Sequence, residues 1–169
     1  MNGTPLTGWR RWIAGAHPRR TAVRAAALGL ATFLLLRFVC LPLRVLGVSM
    51  LPTFSDGQLR CANLLKYRFR EPRRGEIVVV AMTGNHAVYM KRVLGLPGER
   101  IAFAKGQLII NGRPESEPWI ENRGNWDMPE MTIPEGEYFV AGDHRALPIQ
   151  LHTLGTVERS KIRGGLFFP

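Results

Sequence analysis

The hydrophobic residues of this chain follow two contrasting patterns. Residues 25–46 form a nearly continuous apolar run, and within residues 25–43 the only charged side chain is Arg37. About 20 mostly apolar residues are enough for a helix to cross a bilayer. After residue 47 the apolar positions come in short runs separated by glycine, proline and polar residues, which is typical of β-strands. The sequence therefore predicts one N-terminal transmembrane helix at residues 25–46, followed by a mainly β domain at residues 47–169.

Within the β region, turn signals separate the predicted strands. Lys105-Gly106 lies between two extended runs and predicts a hairpin, and Asn111-Gly112 predicts a second turn. Residues 113–130 are rich in proline, glutamate and asparagine, which is typical of an irregular loop. The predicted strands are 58–65, 76–82, 87–94, 100–104, 107–110, 136–141 and 155–157.

The apolar run has two other interpretations. Residues 10–24 are basic and residues 25–36 are apolar, which is also typical of a cleaved secretory signal. The run could instead form a helix lying in the membrane interface, because an arginine within a span costs about 2.5–3.5 kcal/mol on insertion scales. We favour the span over both. No clear cleavage site of small residues follows the run, and the cost of one arginine is tolerable.

Charge is distributed unevenly along the chain. The formal net charge is +10, and residues 1–46 contain seven arginines and no acidic residue. A nucleic-acid-binding protein more often carries its basic patch on the folded domain, so this distribution favours anionic lipid and argues against nucleic acid. Five of the arginines lie in the basic segment at residues 1–24. The positive-inside rule therefore predicts that this segment is cytoplasmic and that residues 47–169 lie outside the cytoplasm. Trp9 and Trp12 are equally consistent with interface anchors and with a disordered tail.

The chain contains two cysteines, Cys40 and Cys61. Because Cys40 falls within the predicted span, we expect both thiols to remain unpaired. Two cysteines and four scattered histidines give no spacing typical of a metal site. We therefore expect no metal.

Two short stretches carry candidate chemistry. Ser49 lies in a turn-like stretch directly after the apolar run, and Lys91 lies in a predicted strand that ends at residues 95–98. Alone, these would be an ordinary turn serine and an ordinary exposed lysine. Together they predict a nucleophile and its base, because burial lowers the pKa of a lysine and a neutral lysine can accept the proton of a serine hydroxyl.

Four stretches, in this order, resemble the conserved motifs of bacterial type I signal peptidases, from about residue 44 to the C-terminus. Each motif alone is weak, but four in the right order are specific. They are Ser49-Met50-x-Pro52-Thr53, similar to the nucleophile motif; Pro72-Arg73-Arg74-Gly75-Glu76-Ile77-Val78-Val79, similar to a family strand; Lys91-Arg92-Val93-x-Gly95-x-Pro97-Gly98-Glu99, similar to the general-base motif; and Gly142-Asp143-x-Arg145, similar to the start of the last conserved box.

The resemblance implies a serine endopeptidase that removes signal peptides from exported preproteins at the bacterial inner membrane, with its catalytic domain outside the cytoplasm. Ser49 would be the nucleophile and Lys91 the general base. The backbone N–H of Ser49 would hold the oxyanion, and no cofactor would be needed. The implied fold is an antiparallel β-sheet that carries both residues, with an insertion at about residues 98–136. The implied substrate-binding residues are Met50, Leu51, Pro52 and Tyr89, and the implied structural residues are Asp143 and Arg145.

The chain departs from the family pattern at two places. Gly47 stands where the family often has a hydroxyl residue that helps to hold the oxyanion. In the last box His144 replaces the usual asparagine, and we expect His144 and His152 to be surface or loop histidines. The positions of the family's lysine-orienting serine and Asp-Ser-Arg run are Pro148, Gln150, Leu151 and His152.

These departures motivate two alternative hypotheses. One is a catalytically impaired homologue that acts as a preprotein-binding or accessory subunit. The other is a soluble, self-cleaving Ser–Lys protease of the stress-repressor type, which the apolar segment and the lack of a DNA-binding helical domain disfavour. The favoured enzyme would contact preprotein signal peptides and membrane lipid, and it could have an accessory subunit.

Overall fold

A computed structural model of the chain describes residues 18–81, 88–152 and 155–167. The chain divides into an N-terminal unit that ends at Phe38 and a β-rich unit that begins at Val39, and each is described by itself. Trp9, Trp12 and the arginines at positions 10 and 11 lie outside the described residues.

The N-terminal unit contains one described helix, α1, at Pro18–Phe38. The helical stretch Arg19–Phe38 is long enough and apolar enough to cross a membrane, and none of it is buried within the protein. The helix overlaps the predicted segment at residues 25–38, but it begins and ends earlier than the predicted 25–46. Residues Cys40–Arg44 instead form a strand, which contains Pro42. Proline lacks the amide hydrogen that a helix interior requires, but it is tolerated in an edge strand.

The β-rich unit contains two antiparallel sheets, as the mainly β prediction requires. In the described ranges the larger sheet has seven strands: β1 (Cys40–Arg44), β2 (Leu59–Asn63), β3 (Ile77–Ala81), β4 (Val88–Gly95), β9 (Glu137–Ala141), β10 (Gly155–Glu158) and β11 (Ile162–Leu166). The smaller sheet has four: β5 (Arg100–Ala104), β6 (Gln107–Ile110), β7 (Arg113–Pro114) and β8 (Met128–Thr132). The strand orders are β1-β2-β11-β3-β4-β9-β10 and β7-β6-β5-β8.

The smaller sheet lies within the stretch that was predicted to be an insertion. Its two turns are as predicted, because Lys105, Gly106, Asn111 and Gly112 all have positive φ angles, which tight hairpin turns require. The prediction that residues 113–130 are an irregular loop is wrong at both ends, where β7 and β8 pair with the hairpin. Short edge strands carry too few alternating apolar positions to be recognised from sequence.

Three buried clusters hold the unit together. The first joins the two sheets, with Leu94 and Phe139 from the larger sheet packing against Ile101 and Phe103 from the smaller one. The second packs side chains of β3, β4, β9 and β11 together with Tyr67. The third packs Met50 and the residues Val45, Phe54, Ile77 and Leu166. The segment that carries Ser49 is thus anchored to the larger sheet by burial of apolar side chains.

Cys40 and Cys61 form a disulfide, so the prediction of two unpaired thiols is wrong. The prediction assumed that Cys40 lies in a membrane helix. Instead Cys40 begins β1, which pairs antiparallel with β2 so that Leu41 lies opposite Ala62. This register brings the two Cα atoms to 5.8 Å, within the range that a disulfide needs.

Candidate active site

The loop between β1 and β2 carries Ser49 and is fixed at several points. The N–H of Val45 donates to the carbonyl of Gln58 at 2.8 Å, and the N–H of Phe54 donates to the carbonyl of Met50 at 2.8 Å. The side chains of Met50 and Phe54 are both 2% exposed. Because its backbone is bonded and its apolar side chains are buried, the loop holds Ser49 in one position.

The backbone conformation explains why glycine occupies position 47. Gly47 has a φ of +87°, a left-handed conformation that a residue with a Cβ adopts only with strain. Its N–H donates to the Asp56 carboxylate at 2.7 Å, which fixes the turn before the serine. A hydroxyl residue at this position would therefore be strained in the present loop conformation.

Lys91 lies in the middle of β4 and points at the serine. Its Nζ is 3.2 Å from Oγ of Ser49, within hydrogen-bond distance. The side chain is almost completely buried, and this burial lowers the pKa of Lys91, although the negative charge of Asp143 partly opposes the shift. A lysine with a lowered pKa loses its proton more easily and can then accept one from the serine hydroxyl.

The next residue, Arg92, forms a buried ion pair with Asp143. Its Nε and one Nη donate to the two carboxylate oxygens at 2.8 and 2.6 Å, and its other Nη donates to the carbonyl of Gly75 at 2.7 Å. The hydroxyl of Thr53 also donates to Asp143, at 2.5 Å. Strand β4, the strand end at Asp143 and the loop that follows Ser49 are therefore joined by one polar network.

Arg145 forms a second buried ion pair, with Glu117. One Nη donates to Oε1 of Glu117 at 2.5 Å, and Nε donates to the carbonyl of Gly142 at 3.1 Å. The guanidinium lies 4.9 Å from the centre of the Trp126 ring, at a distance typical of cation–π contacts. Burial raises the pKa of Glu117 despite its bonds to Arg145. Asp143 and Arg145, both predicted to be structural, are thus each buried against a charged partner.

A cleft of about 280 Å³ opens beside Ser49. Of the four predicted substrate-binding residues, Met50 and Tyr89 line it, whereas Leu51 and Pro52 do not. Its other lining residues are Leu43, Arg44, Val45, Leu46, Val88 and Met90. The side chains that line the cleft are mainly apolar.

At the divergent end of the last box the structure describes residues 148–152, and none of these five residues has a hydroxyl side chain. Pro148 and Gln150 are exposed beside a short 3-10 turn at Ile149–Leu151. His152 is in a loop, as predicted, but it is not on the surface, because only 9% of it is exposed. It packs edge-on against Trp126 with ring centres 4.6 Å apart, and this burial lowers the pKa of His152.

The backbone of the last box lies very close to the nucleophile. A Cβ atom added to Gly142 would lie 2.2 Å from the carbonyl oxygen of Ser49, so glycine is required here by space. The N–H of His144 donates to the same carbonyl at 3.1 Å. The backbone that follows β9 is therefore in direct contact with the backbone of the loop that carries Ser49.

No role was predicted from the sequence for Thr53, Arg92 or Glu117. Thr53 and Arg92 lie inside the motifs, next to residues with a predicted role. The hydroxyl of Thr53 and the charge of Arg92 were the features that could have identified them. Glu117 lies in the stretch predicted to be an irregular loop, where nothing in the local pattern indicates burial. In the part of the chain that the structure describes, no group of three or more metal-binding side chains comes together.

Comparison with known proteins identifies a family that this chain resembles along most of its length. A family model described as "Signal peptidase, peptidase S26" matches residues 19–169. Signal peptidase I V of Bacillus subtilis (strain 168) is 33% identical over 135 residues, which cover 72% of this chain and 80% of the relative. Signal peptidase I of Bacillus licheniformis is 34% identical over 163 residues, which cover 87% of each. A solved signal peptidase I from Enterococcus faecalis V583 is 28% identical, with a TM-score of 0.49, and the match covers 57% of this chain and 97% of that one. The resemblance inferred from the four motifs is confirmed by the family model and the two relatives.

Proposed function

This chain belongs to the signal peptidase family, peptidase S26, and from that premise we propose that it is a membrane-anchored serine endopeptidase that cleaves signal peptides from exported preproteins with Ser49 as nucleophile and Lys91 as general base. The observation that carries the proposal is the 3.2 Å contact between Oγ of Ser49 and Nζ of a buried lysine. A charged lysine could only donate to the serine, whereas a neutral one can activate it.

The proposed reaction has two stages. Neutral Lys91 accepts the proton of Ser49 as Oγ attacks the scissile carbonyl, and the resulting ammonium then donates that proton to the leaving amine. Lys91 next accepts a proton from the water that attacks the acyl-enzyme, and it returns a proton to Oγ of Ser49 as the Oγ–acyl bond breaks, so that the signal peptide leaves with a C-terminal carboxylate. In both stages the N–H of Ser49 stabilises the oxyanion. This N–H has no acceptor among the residues that the structure describes, so it is available to the substrate.

The substrate proposed is an exported preprotein with small residues before the cut. The relatives from Bacillus subtilis and Bacillus licheniformis are named signal peptidases, and the cleft beside Ser49 is mainly apolar. Met50 and Tyr89 line that cleft and are proposed to contact the substrate side chains. Leu51 and Pro52 are proposed to act less directly, by shaping the turn that follows the nucleophile.

The test is cleavage of a preprotein with Ala-x-Ala before the cut by the purified full-length chain in detergent. We expect a product whose N-terminus, determined by mass spectrometry, begins directly after the second alanine. Binding of the preprotein without any cleavage would overturn the proposal and favour the accessory-subunit hypothesis. That hypothesis is not favoured here, because the contact between Ser49 and Lys91 is present although Pro148 cannot orient the lysine.

We further propose that α1 anchors the chain in the bacterial inner membrane with residues 47–169 outside the cytoplasm. The arginines before residue 25 favour a cytoplasmic N-terminus. The disulfide between Cys40 and Cys61 supports the same orientation, because disulfides persist in oxidising compartments outside the cytoplasm.

This orientation predicts the outcome of a protease-protection experiment. Protease added to the outside of spheroplasts is expected to digest the C-terminal domain and to leave an N-terminal tag intact, because the bilayer shields only the cytoplasmic side. Immunoblotting for a tag at each end measures this. A protected C-terminal domain with an exposed N-terminal tag would contradict the orientation and the proposed access to exported substrates.

The lowered pKa of Lys91 predicts that activity rises with pH. We expect kcat/KM to increase through the pKa of Lys91, at a pH below the usual lysine value of 10.5, because only the neutral amine can act as base. Stability should follow the same direction. Between the lowered pKa and 10.5 the unfolded lysine holds a proton that the folded one lacks, so stability rises with pH over this window.

Two measurements check this prediction. Kinetics over a pH series give the apparent pKa, and thermal unfolding of the wild type and of Lys91→Met gives the stability difference. The methionine variant has no group that titrates at this position, so the wild type should gain stability relative to it as the pH rises. A pH-independent kcat/KM, or a constant stability difference, would argue against a neutral lysine.

A further inference from the structure

The peptide group between Val48 and Ser49 is held by an unusual set of hydrogen bonds. Its carbonyl oxygen, that of Val48, lies 3.1 Å from Nδ1 of His144 and also accepts from the N–H of Leu51 at 3.1 Å. A carbonyl can only accept, so Nδ1 of His144 carries the proton of this bond. The oxygen therefore has two donors, one for each lone pair, and one of them is a side chain.

The other end of the same peptide group is the N–H of Ser49. In a trans peptide the C=O and N–H point in opposite directions, and among the described residues only Leu51–Pro52 is cis. The donors on the Val48 oxygen therefore fix the direction of the Ser49 N–H. Hydrogen bonds that are linked through one peptide group also polarise each other, so this N–H becomes a better donor.

We propose that His144 is a positioning residue, which orients and polarises the Val48–Ser49 peptide so that the N–H of Ser49 can hold the oxyanion. The inference rests on the proposed function of Ser49. It also accounts for Gly47, which supplies no side-chain donor to the oxyanion and leaves the backbone N–H to act without it.

His144 is itself held from two sides. Its N–H donates to the carbonyl of Ser49 at 3.1 Å, so that it contacts the backbone on both sides of the nucleophile's Cα. Its own carbonyl lies 2.8 Å from Nε2 of His152, which must be the donor. This leaves Nδ1 of His152 as the unprotonated nitrogen, and in the described part of the chain that buried nitrogen has no hydrogen-bond partner. The neutral, buried His152 thus supports the backbone of His144.

Three substitutions separate the side-chain bond from mere occupancy of the position. The amide nitrogen of asparagine corresponds in position to Nδ1 of histidine, so His144→Asn keeps the donor to Val48. In His144→Leu a side chain of similar size has no donor, and in His144→Gln the amide is placed one bond too far. Loss of a direct oxyanion donor can lower kcat by about 10²–10³-fold, so loss of this indirect support is expected to lower kcat by about tenfold or more.

The experiment measures kcat and KM for preprotein cleavage by the full-length chain in detergent, together with the melting temperature. We expect the leucine and glutamine variants to lose kcat with little change in KM, and the asparagine variant to stay within about threefold of the wild type. A leucine variant with wild-type kcat, while Ser49→Ala is inactive, would overturn this inference and leave the proposed function intact. Absence of cleavage by the wild type would overturn both.

A second readout reports on the oxyanion alone. Oγ of Ser49 can add to the carbonyl carbon of a peptide aldehyde. As the Oγ–C bond forms, the carbonyl electron pair moves to the aldehyde oxygen, which occupies the oxyanion position. Lys91 transfers the serine's proton to that oxygen. The matching peptide alcohol binds without this step. His144→Leu is expected to weaken inhibition by the aldehyde about tenfold and to leave inhibition by the alcohol unchanged. Two results would indicate a merely structural role and overturn the inference. One is equal weakening of inhibition by the aldehyde and by the alcohol. The other is a loss of kcat that accompanies a lowered melting temperature and is not restored in His144→Asn.

Discussion

Ser49→Ala and Lys91→Met are each expected to reduce kcat for preprotein cleavage by about 10³-fold or more. The alanine variant lacks the attacking oxygen, and the methionine variant keeps the length of the buried side chain but cannot accept a proton. Single-turnover cleavage of a preprotein, followed by mass spectrometry of the product, measures both. Because burial disfavours the charge of Lys91, the methionine variant should also fold at least as well as the wild type at neutral pH.

The double variant tests whether the two residues act as a unit. Groups that act in one step are strongly non-additive, so Ser49→Ala/Lys91→Met should be no slower than the slower single variant. Lys161→Met is the matched control, since that lysine has a side chain that is 42% exposed and forms an ion pair with Glu158 at 3.5 Å. Multiplicative losses in the double variant, or a comparable loss in the control, would contradict a serine–lysine dyad.

Asp143→Asn is expected to destabilise the folded chain by about 3–5 kcal/mol. Asp143 and Arg92 are both almost completely buried, and the asparagine variant leaves the guanidinium of Arg92 without an opposing charge. One acceptor for Thr53 or Arg92 is also lost. Denaturant unfolding of the full chain in detergent, followed by the fluorescence of its tryptophans, measures the change.

Glu130→Gln is the control for this prediction. It also removes the acid of an arginine ion pair, with Arg100, but both side chains of that pair are largely exposed to solvent. Pairs of this kind contribute about 0–1 kcal/mol, so a small change is expected. Similar losses in Asp143→Asn and Glu130→Gln would show that burial is not what makes the Arg92–Asp143 pair important.

The parts of the site that were predicted from sequence are those encoded by short motifs. Ser49 and Lys91 each lie in a stretch whose residue types and spacing are informative, and strand β4 was recognised from its own apolar run. The distance between the two side chains was not available from the sequence. It depends on β3 and β4 pairing with Val78 opposite Lys91 and on the loop packing of Met50.

The end of the helix and the disulfide could not be predicted, for one physical reason. An apolar strand that begins directly after an apolar helix extends the same apolar run. The hydrophobicity of the sequence therefore does not mark the boundary between the two. Only the partner strand, β2, makes residues 40–44 extended, and it lies about twenty residues further along. Pro42 was the local signal that the helix had ended, because proline lacks the N–H that a helix interior requires. The missing N–H is tolerated at a sheet edge.

The buried charges were hidden for a related reason. Glu117 lies among polar residues, and its burial depends on Arg145, which follows β9 of the larger sheet. His152 likewise depends on Trp126 for its burial. Local composition describes the neighbours of a residue in sequence, whereas burial is determined by neighbours that the fold supplies.

The position of β11 has a consequence for the order in which the domain can form. This strand, Ile162–Leu166, is nearly the last part of the chain, yet it lies between β2 and β3 in the larger sheet and pairs with both. Pairings between distant segments close slowly, because the entropy of the intervening chain is lost before the contacts form. During folding, β2 and β3 therefore remain unpaired along these edges until residues 162–166 are available to pair with them. Ser49 lies in a loop and Lys91 in a strand of this same sheet, so the two side chains reach their final positions only after β11 has been added.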